Sequence, residues 1–290
     1  MLNNRIAIGA VQFGLPYGLR NHNKIVSHRE IANILNYSQS NGINTIDTAI
    51  SYGKSEERLG KFGVGKWQII TKLPRLPNTC PNIFSWVEGQ VINSLYKLRV
   101  SNIYGLLLHT PKDLTGPRGY ELWSALQVLK EKKLVNKIGY SIYNPDDLEV
   151  LFPSFPPEIV QAPYSILDRR LALSGWLDRM TQNNTEVHIR SVFLQGLLLM
   201  KKNERPKKFK RWSNIWEAWD LWLDEHKLTA LQVSIAFAMM DSRISKVIVG
   251  VHSLSQLEEI MSNINLKLNE FPYSIDADDP ELLNPSNWAL

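Results

Sequence analysis

Short apolar, β-branched runs alternate about eight times with longer amphipathic stretches along the 290-residue chain. The apolar runs are nearly continuous, which is typical of parallel strands buried on both faces. A strand with one solvent-exposed face would instead alternate apolar and polar residues. The predicted strands cover residues 5–11, 43–47, 67–72, 103–109, 135–141, 157–162, 185–190 and 246–251.

The stretches between these runs carry apolar residues at the i, i+3, i+4 spacing of amphipathic helices. In the first of them, Ser27 and Glu30 have the spacing of a capping box, and Gly42 marks the end. The clearest predicted helices cover residues 27–42, 84–98, 120–133, 228–240 and 253–264.

Eight strand–helix units in this order predict an α/β fold of the (β/α)8 TIM barrel type. Residues 1–290 are expected to form one domain, because no linker or change of composition divides the chain. An open doubly wound sheet is the alternative fold. It would show a GxGxxG turn after its first strand, and GAVQFGLPYG (residues 9–18) lacks that spacing.

One segment after the seventh strand interrupts the alternation. KKNERPKKFKRW (residues 201–212) is strongly basic, and Trp212, Trp216, Trp219 and Trp222 then recur at helical spacing. We interpret these tryptophans as a stripe buried against the barrel wall, with a substrate-stacking lid or a subunit contact as alternatives. The basic segment is interpreted as a solvated loop, with an anion-steering patch as its alternative.

The composition argues against several classes of protein. The single cysteine, Cys80, cannot form an intramolecular disulfide, which fits a reducing compartment. There is no zinc-ligand spacing, Walker-type loop or aromatic RNA-binding motif, so neither a metal nor a nucleic-acid partner is expected despite the net charge of +5. With no signal peptide and no run of ~20 apolar residues, a cytoplasmic protein without a membrane partner is expected.

Four side chains able to hold or move a proton follow three neighbouring predicted strands. Asp47, Lys72 and His109 stand at the carboxyl ends of the second, third and fourth strands, and Tyr52 lies in the loop just beyond Asp47. Strand carboxyl ends point to the active-site mouth of a barrel. Each residue alone has an ordinary structural explanation, and their joint placement is what predicts a site.

Together these residues predict a proton-donating assembly. Lys72 is expected to lower the pKa of Tyr52, making it a general acid, while Asp47 holds Lys72 in place. His109 is expected to orient the oxygen of an incoming carbonyl. A carbonyl polarised in this way is ready to accept a hydride, which no side chain supplies, so a redox cofactor is implied.

The segment DTAISYGKSEERLG (residues 47–60), followed by TKLP and LLLHTP, resembles the aldo-keto reductase superfamily. The resemblance extends over nearly the whole chain. The GAVQFGLPYG and RSVFLQGLL segments look more like bacterial members that accompany surface-polysaccharide and sugar metabolism than like the mammalian short-chain reductases. It implies a (β/α)8 barrel whose active site uses Asp47, Tyr52, Lys72 and His109. It also implies a nicotinamide cofactor, NADP(H) first on family grounds, with NAD(H) as the alternative.

The resemblance further implies which residues contact the cofactor. Ser141 and Gln161 would face the nicotinamide carboxamide, and Arg190 stands where many members stack an aromatic ring on the nicotinamide. IRSVFLQGLL resembles the loop over the pyrophosphate, and VIVGVHSLSQLEEI resembles the segment around the adenosine. The implied cofactor residues are Ser141, Gln161, Arg190, Ser191, Leu194, Gly196, Gly250, Ser253, Gln256 and Glu259.

Besides Arg190, two further departures from the family pattern are visible. The chain begins almost directly at the first barrel strand, so the β-hairpin that often plugs the barrel base is expected to be missing, leaving Met1 to Asn4 to close it. Gln256 stands where NADPH-preferring members commonly carry an arginine for the 2′-phosphate, with His252 and Ser253 as the remaining candidates. A neutral Gln256 offers no charged fork for that phosphate.

The predicted activity is therefore NAD(P)H-dependent reduction of an aldehyde or ketone, with a sugar-type small molecule as substrate. The aromatic residues predicted to line the substrate pocket are Phe13, Tyr17, Trp86, Trp216 and Trp288. A cofactor-binding regulatory barrel, similar to potassium-channel β subunits, is the main alternative. A lyase or isomerase that uses Lys72 as a Schiff-base nucleophile is a weaker one. The sequence predicts no oligomeric state.

Overall fold

The structure, a computed structural model, describes residues 2–19, 24–275 and 277–288. Eight parallel strands close into a barrel in chain order, because the last strand pairs with the first. This confirms the predicted (β/α)8 fold. The strands are β1 (Ile6–Gly9), β2 (Thr45–Asp47), β3 (Gln68–Leu73), β4 (Ile103–Leu108), β5 (Val135–Ser141), β6 (Ile159–Pro163), β7 (Glu186–Arg190) and β8 (Lys246–Gly250).

Helices follow the strands and surround the barrel. They are α1 (Val11–Gly14), α2 (His28–Ser40), α3 (Ser55–Gly60), α4 (Ile83–Leu98), α5 (Gly119–Glu131), α6 (Asp146–Leu151), α7 (Arg170–Leu173), α8 (Trp176–Gln182), α9 (Ser213–His226), α10 (Ala230–Met240), α11 (Leu254–Asn263) and α12 (Pro280–Leu283). None of the helices in the described parts of the chain combines the length and apolarity that a membrane crossing requires.

The start of α2 corrects the predicted capping box. The Ser27 hydroxyl accepts a hydrogen bond from the backbone N–H of Glu30, as expected. The Glu30 carboxylate, however, accepts from the backbone N–H of Leu254 at the start of α11. Glu30 therefore ties two helices together, because a helix N-terminus attracts a carboxylate whether or not it belongs to the same chain segment.

The interior of the barrel is filled by side chains from several strands. Ile70, Leu107 and Ile159 form a small buried cluster there. Gly105 on β4 leaves them room, because a Cβ at that position would lie 2.7 Å from Ile159 and 2.8 Å from Ile70. The barrel is thus a packed core rather than a pore, and ligands can reach it only at its ends.

The amino end of the barrel has a short 3-10 helix, Leu2–Arg5, leading directly into β1, and Met1 lies outside the described residues. The Arg5 guanidinium donates to the backbone carbonyls of Met239, Asp241 and Ile244. It thereby satisfies carbonyls left open where α10 ends. A single arginine thus ties this 3-10 helix and the beginning of β1 to the end of α10.

Two of the four tryptophans predicted to form a buried stripe, Trp216 and Trp219, are buried, whereas Trp212 and Trp222 are half-buried and pack against the core. Trp216 and Trp219 are 4% and 0% exposed, and their indole N–H groups donate to the carbonyls of Phe209 and Leu198. The basic segment braces this helix: Arg205 pairs with Asp220 at 2.5 Å. Two further cations of this segment also form ion pairs, Lys202 with Glu217 and Arg211 with Asp279.

Candidate active site

A cavity of about 280 Å³ opens at the carboxyl ends of the barrel strands. Its wall includes Gly9 at the end of β1, Asp47 at the end of β2, Gln161 on β6, Arg190 at the end of β7 and Gly250 at the end of β8. Active sites of (β/α)8 barrels lie at this face, where the loops that follow the strands converge.

A buried ion pair forms the floor of this site. The Lys72 ammonium lies 2.7 Å from both carboxylate oxygens of Asp47 and also donates to the carbonyl of Thr48 at 3.0 Å. The Gln161 side-chain amide donates to the same carboxylate at 2.7 Å. All three N–H groups of Lys72 are therefore engaged, which argues against its use as a Schiff-base nucleophile.

Tyr52 stands above this ion pair. Its ring centroid lies 5.1 Å from the Lys72 ammonium, and the side chain lines the cavity. Burial, followed by the charge of Asp47, raises the pKa of Tyr52 well above its ordinary value, and Arg190 opposes that rise. The prediction that Lys72 lowers the pKa of Tyr52 is therefore wrong, because Asp47 neutralises the ammonium. Tyr52 remains a neutral phenol with a proton to give.

The loop that carries Tyr52 depends on close backbone approach. A Cβ at Gly14 would lie 1.8 Å from the carbonyl oxygen of Tyr52. Gly53 has φ of +56°, and a Cβ there would lie 2.7 Å from the carbonyl oxygen of Gly14. The two glycines allow α1 and the Tyr52 loop to touch, and this contact fixes where Tyr52 enters the cavity.

His109 completes the predicted set. Its ring lies edge-on to Tyr52 with centroids 5.8 Å apart, and its Nδ1 lies 3.2 Å from the Ser51 hydroxyl. Burial, together with the positive charges of Lys72 and Arg190, lowers the pKa of His109 to about 4. The imidazole is therefore neutral near pH 7 and can act as a hydrogen-bond partner, without carrying a charge.

Seven of the ten predicted cofactor residues line the cavity: Gln161, Arg190, Ser191, Gly196, Gly250, Gln256 and Glu259. The other three lie elsewhere. Ser141 and Leu194 are 3% and 1% exposed, Ser253 is the N-cap of α11, and none of the three lines the cavity. Seven of the ten predicted residues can therefore contact a ligand in the cavity directly, through their side chain or backbone.

Gln256 is hydrogen-bonded within the start of α11. The Gln256 side-chain oxygen accepts from the backbone N–H of His252 at 2.8 Å, and the Ser253 hydroxyl accepts from the N–H of Gln256 at 3.3 Å. These bonds satisfy N–H groups that a helix start leaves open. Gln256 therefore presents a neutral amide, held in place, at this end of the cavity.

Two loops meet across the cavity. The Gln195 amide donates to the Tyr17 hydroxyl at 3.0 Å, and the backbone N–H of Leu19 donates to the Gln195 carbonyl at 3.2 Å. Gln195 adopts a left-handed backbone with φ of +53° just before Gly196. The loop after β1 and the loop after β7 are thus bridged over the site.

The structure corrects most of the predicted substrate residues. Tyr17 lines the cavity. Phe13, Trp216 and Trp288 are 0%, 4% and 7% exposed and pack in the hydrophobic core, and Trp86 packs against that core from α4. Large apolar side chains are favoured by both a core and a pocket, so sequence alone does not separate the two.

Several cavity residues escaped the sequence analysis. Tyr143 lies over the Arg190 guanidinium, with 4.2 Å between the guanidinium carbon and the ring centroid. Gln12 is 6% exposed, and its side-chain oxygen has no hydrogen-bond partner among the described residues. Gln12 sits in GAVQFGLPYG, directly after β1, so its position after a strand end was a signal that could have identified it.

Comparison with known proteins agrees with this architecture. The profile of the Aldo/keto reductase family matches residues 5–275. The chain belongs to this family. Aldo/keto reductases are oxidoreductases that act on small carbonyl compounds and generally use NAD(P)H, so this general class of activity applies to the chain. No curated protein sequence gives a significant match.

Two solved structures of aldo-keto reductases share the fold. AKR11C1 from Bacillus halodurans, in its holo form, is 19% identical with a TM-score of 0.72, over 91% of this chain and 88% of that one. PA4992 from Pseudomonas aeruginosa, assigned to the aldo-keto reductases, is 20% identical with a TM-score of 0.66, over 90% and 89% of the two chains. At these identities the similarity establishes the fold of the reductase and leaves its substrate to be argued from the site.

Proposed function

We propose that this reductase converts an aldehyde or ketone to an alcohol with NAD(P)H, and that Tyr52 donates the proton. The observation that carries the proposal is the position of the neutral Tyr52 phenol 5.1 Å above the buried Lys72–Asp47 pair, beside His109, in one cavity. A neutral phenol is the form that gives a proton to a carbonyl oxygen, and a neutral imidazole can orient the same oxygen.

The residues present fit a nicotinamide cofactor. Gln161 lines the cavity, and its side-chain oxygen is buried without a hydrogen-bond partner among the described residues. Its assignment as oxygen is secure, because the nitrogen must donate to the Asp47 carboxylate, which only accepts. This oxygen is an acceptor suited to the N–H₂ of a carboxamide. Ser191, Gly196, Gly250 and Glu259 would line the rest of the binding site.

The cofactor, when bound, supplies the hydride that no side chain of the cavity holds. The chain itself contributes position and proton. Asp47 accepts hydrogen bonds from Lys72 and Gln161, and this neutralised pair beneath the Tyr52 ring keeps Tyr52 a neutral proton donor. The charge of Arg190 favours the phenolate that remains after the proton leaves. His109, whose ring lies edge-on to Tyr52, holds the carbonyl oxygen near the phenol.

We rank NADP(H) before NAD(H) on the family resemblance. The neutral Gln256, committed to the start of α11, provides no charged fork for a 2′-phosphate, so NAD(H) remains the alternative. A sugar-type carbonyl compound is the proposed substrate class, which rests on the resemblance to bacterial members of the family.

The test begins with binding. Titration of the protein with NADPH and with NADH, followed by tryptophan fluorescence, is expected to give saturable binding of at least one. The Tyr52→Phe variant should then lose about 10²–10⁴-fold in kcat for aldehyde reduction while its cofactor affinity stays close to wild type. Failure of both cofactors to bind at millimolar concentration would contradict the proposal. Binding without turnover of any aldehyde would favour the regulatory-barrel alternative instead.

A further inference from the structure

Most charge in the cavity is already neutralised. Asp47 is bonded to Lys72 and Gln161, and His109 is neutral near pH 7. The remaining full charges on the cavity wall belong to Arg190, at the end of β7, and to Glu259 on α11. Arg190 is therefore the positive charge that this wall offers among the described residues, and it acts on the pKa of both Tyr52 and His109.

Arg190 has donors to spare. One terminal nitrogen donates to the carbonyl of Ile142 at 2.9 Å, and the other reaches the Ser191 hydroxyl at 3.4 Å. A guanidinium has five N–H groups, so several remain open. Within the described parts of the chain it forms no ion pair with a carboxylate, whereas Arg170 and Arg205 each pair with an aspartate.

The guanidinium is also held in a fixed orientation. The Tyr143 ring covers one of its faces at 4.2 Å, and the bond to Ile142 fixes its edge. A stacked, partly bonded arginine loses little freedom when it binds an anion, which favours bidentate recognition of two oxygens of a carboxylate or phosphate. Ser191 beside it lines the cavity and adds a hydroxyl.

We infer that Arg190, stacked on Tyr143, binds an anionic group of the substrate, so that this reductase selects carbonyl compounds bearing a carboxylate or phosphate. The inference rests on the proposed function and specifies its substrate class. The carbonyl would lie between Tyr52 and His109, and the anion would meet the open N–H edge of Arg190 in the same cavity. Such a substrate includes an acidic or phosphorylated sugar.

The experiment compares matched substrate pairs that differ in charge. One pair is 4-carboxybenzaldehyde and its methyl ester, and the other is glyceraldehyde 3-phosphate and glyceraldehyde. In the wild type, kcat/KM should favour the anionic member of at least one pair by about 10–100-fold, because a charge-assisted bidentate contact is strong. The pair that shows the larger preference identifies carboxylate or phosphate as the recognised group.

Three variants assign this preference to Arg190. Arg190→Met should bring the ratio of the two kcat/KM values to about 1, and Arg190→Lys, which keeps the charge without the fork, should give an intermediate ratio. Arg29→Met removes one positive charge from an exposed site on α2 and should leave the ratio as in wild type. The Kd values for NADPH and NADH are measured on every variant.

Two results would overturn the inference. One is a wild-type kcat/KM ratio near 1 in both substrate pairs. The other is an Arg190→Met variant that binds the cofactor more weakly but keeps the wild-type kcat/KM ratio. That second result would assign the guanidinium to a cofactor phosphate. Calorimetric titration with 4-(hydroxymethyl)benzoate separates this inference from the proposed function. If no aldehyde is reduced but this anion binds in an Arg190-dependent way, the proposed function fails and the anion site stands.

Discussion

The Lys72 ammonium lies 2.7 Å from both carboxylate oxygens of Asp47, and the two side chains are only 1% and 6% exposed. They come from adjacent strands, β3 and β2, so the barrel itself sets their separation. A pair this deeply buried is costly to break from one side, because the remaining charge has no water to replace its partner.

Lys72→Met is expected to lower the free energy of unfolding by about 3–5 kcal/mol. The double variant Asp47→Asn/Lys72→Met should lose less than the sum of the two single variants, because it leaves no unpaired charge behind. Urea unfolding followed by tryptophan fluorescence measures all three values. Lys132→Met, which breaks an exposed pair with Glu88 at 2.5 Å, is the control and should cost no more than about 1 kcal/mol.

The imidazole of His109 should stay neutral through the physiological range. Burial lowers its pKa to about 4, so protonation begins only well below its usual value of 6.5. NMR titration of ¹³C-labelled histidine, with His109→Asn to assign the signal, should show no midpoint near pH 6.5 for this residue. Because Tyr52 is also neutral there, kcat/KM should change less than about threefold between about pH 5.5 and 8.5. A His109 midpoint above pH 6 would contradict this account of the site.

Gly14→Ala should impair both stability and activity. The added Cβ would lie 1.8 Å from the carbonyl oxygen of Tyr52, so the backbone of α1 or of the Tyr52 loop must move. We expect the free energy of unfolding to fall by about 1–3 kcal/mol. We also expect kcat to fall clearly, because the proton donor is displaced. Gly89→Ala is the matched control: it lies in α4 with open space around it, and it should stabilise the protein by about 0.5–1 kcal/mol.

The stability of the protein should fall as the pH is lowered below 6.5. Burial lowers the pKa of His188 below its ordinary value of 6.5. As the pH falls, the unfolded chain therefore binds a proton at His188 before the folded protein does, which favours unfolding. Burial would raise the pKa of Glu186, but hydrogen bonds from His188, Lys137 and Tyr104 outweigh it and lower the pKa to about 2. Its stabilising contribution is complete above the ordinary value of 4.5 and is lost as the pH falls towards 2.

Chemical unfolding between pH 3 and pH 7 measures this dependence. In Glu186→Gln the slope of the free energy of unfolding against pH should be smaller than in wild type below about pH 4.5. An unchanged slope in that range would show that Glu186 does not contribute to the pH dependence of the free energy of unfolding.

The sequence predicted the parts of the protein that follow from periodicity. All eight apolar runs became strands, because a segment buried on both faces has few other conformations. Asp47, Lys72 and His109 were brought to one face because parallel strands in chain order direct their carboxyl ends to the same place. No distance between the residues was needed for that conclusion.

Contacts between side chains from distant loops could not be predicted in this way. The stacking of Tyr143 on Arg190 and the bond from Gln161 to Asp47 depend on rotamers that tertiary packing selects. The sign of the pKa change of Tyr52 depends on burial and on Asp47 neutralising Lys72, and the sequence reveals neither quantity. Phe13 and Trp288 failed as pocket residues because hydrophobicity does not tell the core from a cavity wall.

Strand β1 has β2 on one side and β8 on the other, and Arg5 just before it bonds to carbonyls at the end of α10. A ribosome makes Ile6–Gly9 before the other seven strands, and at 5–20 residues per second the last residue of β8 follows on the order of 10–50 s later. Throughout that interval the nascent chain carries an apolar strand with one unpaired edge, available to another chain. The closed barrel has no such edge. The unpaired edge of β1 is covered only after β8, which ends at residue 250, has been made.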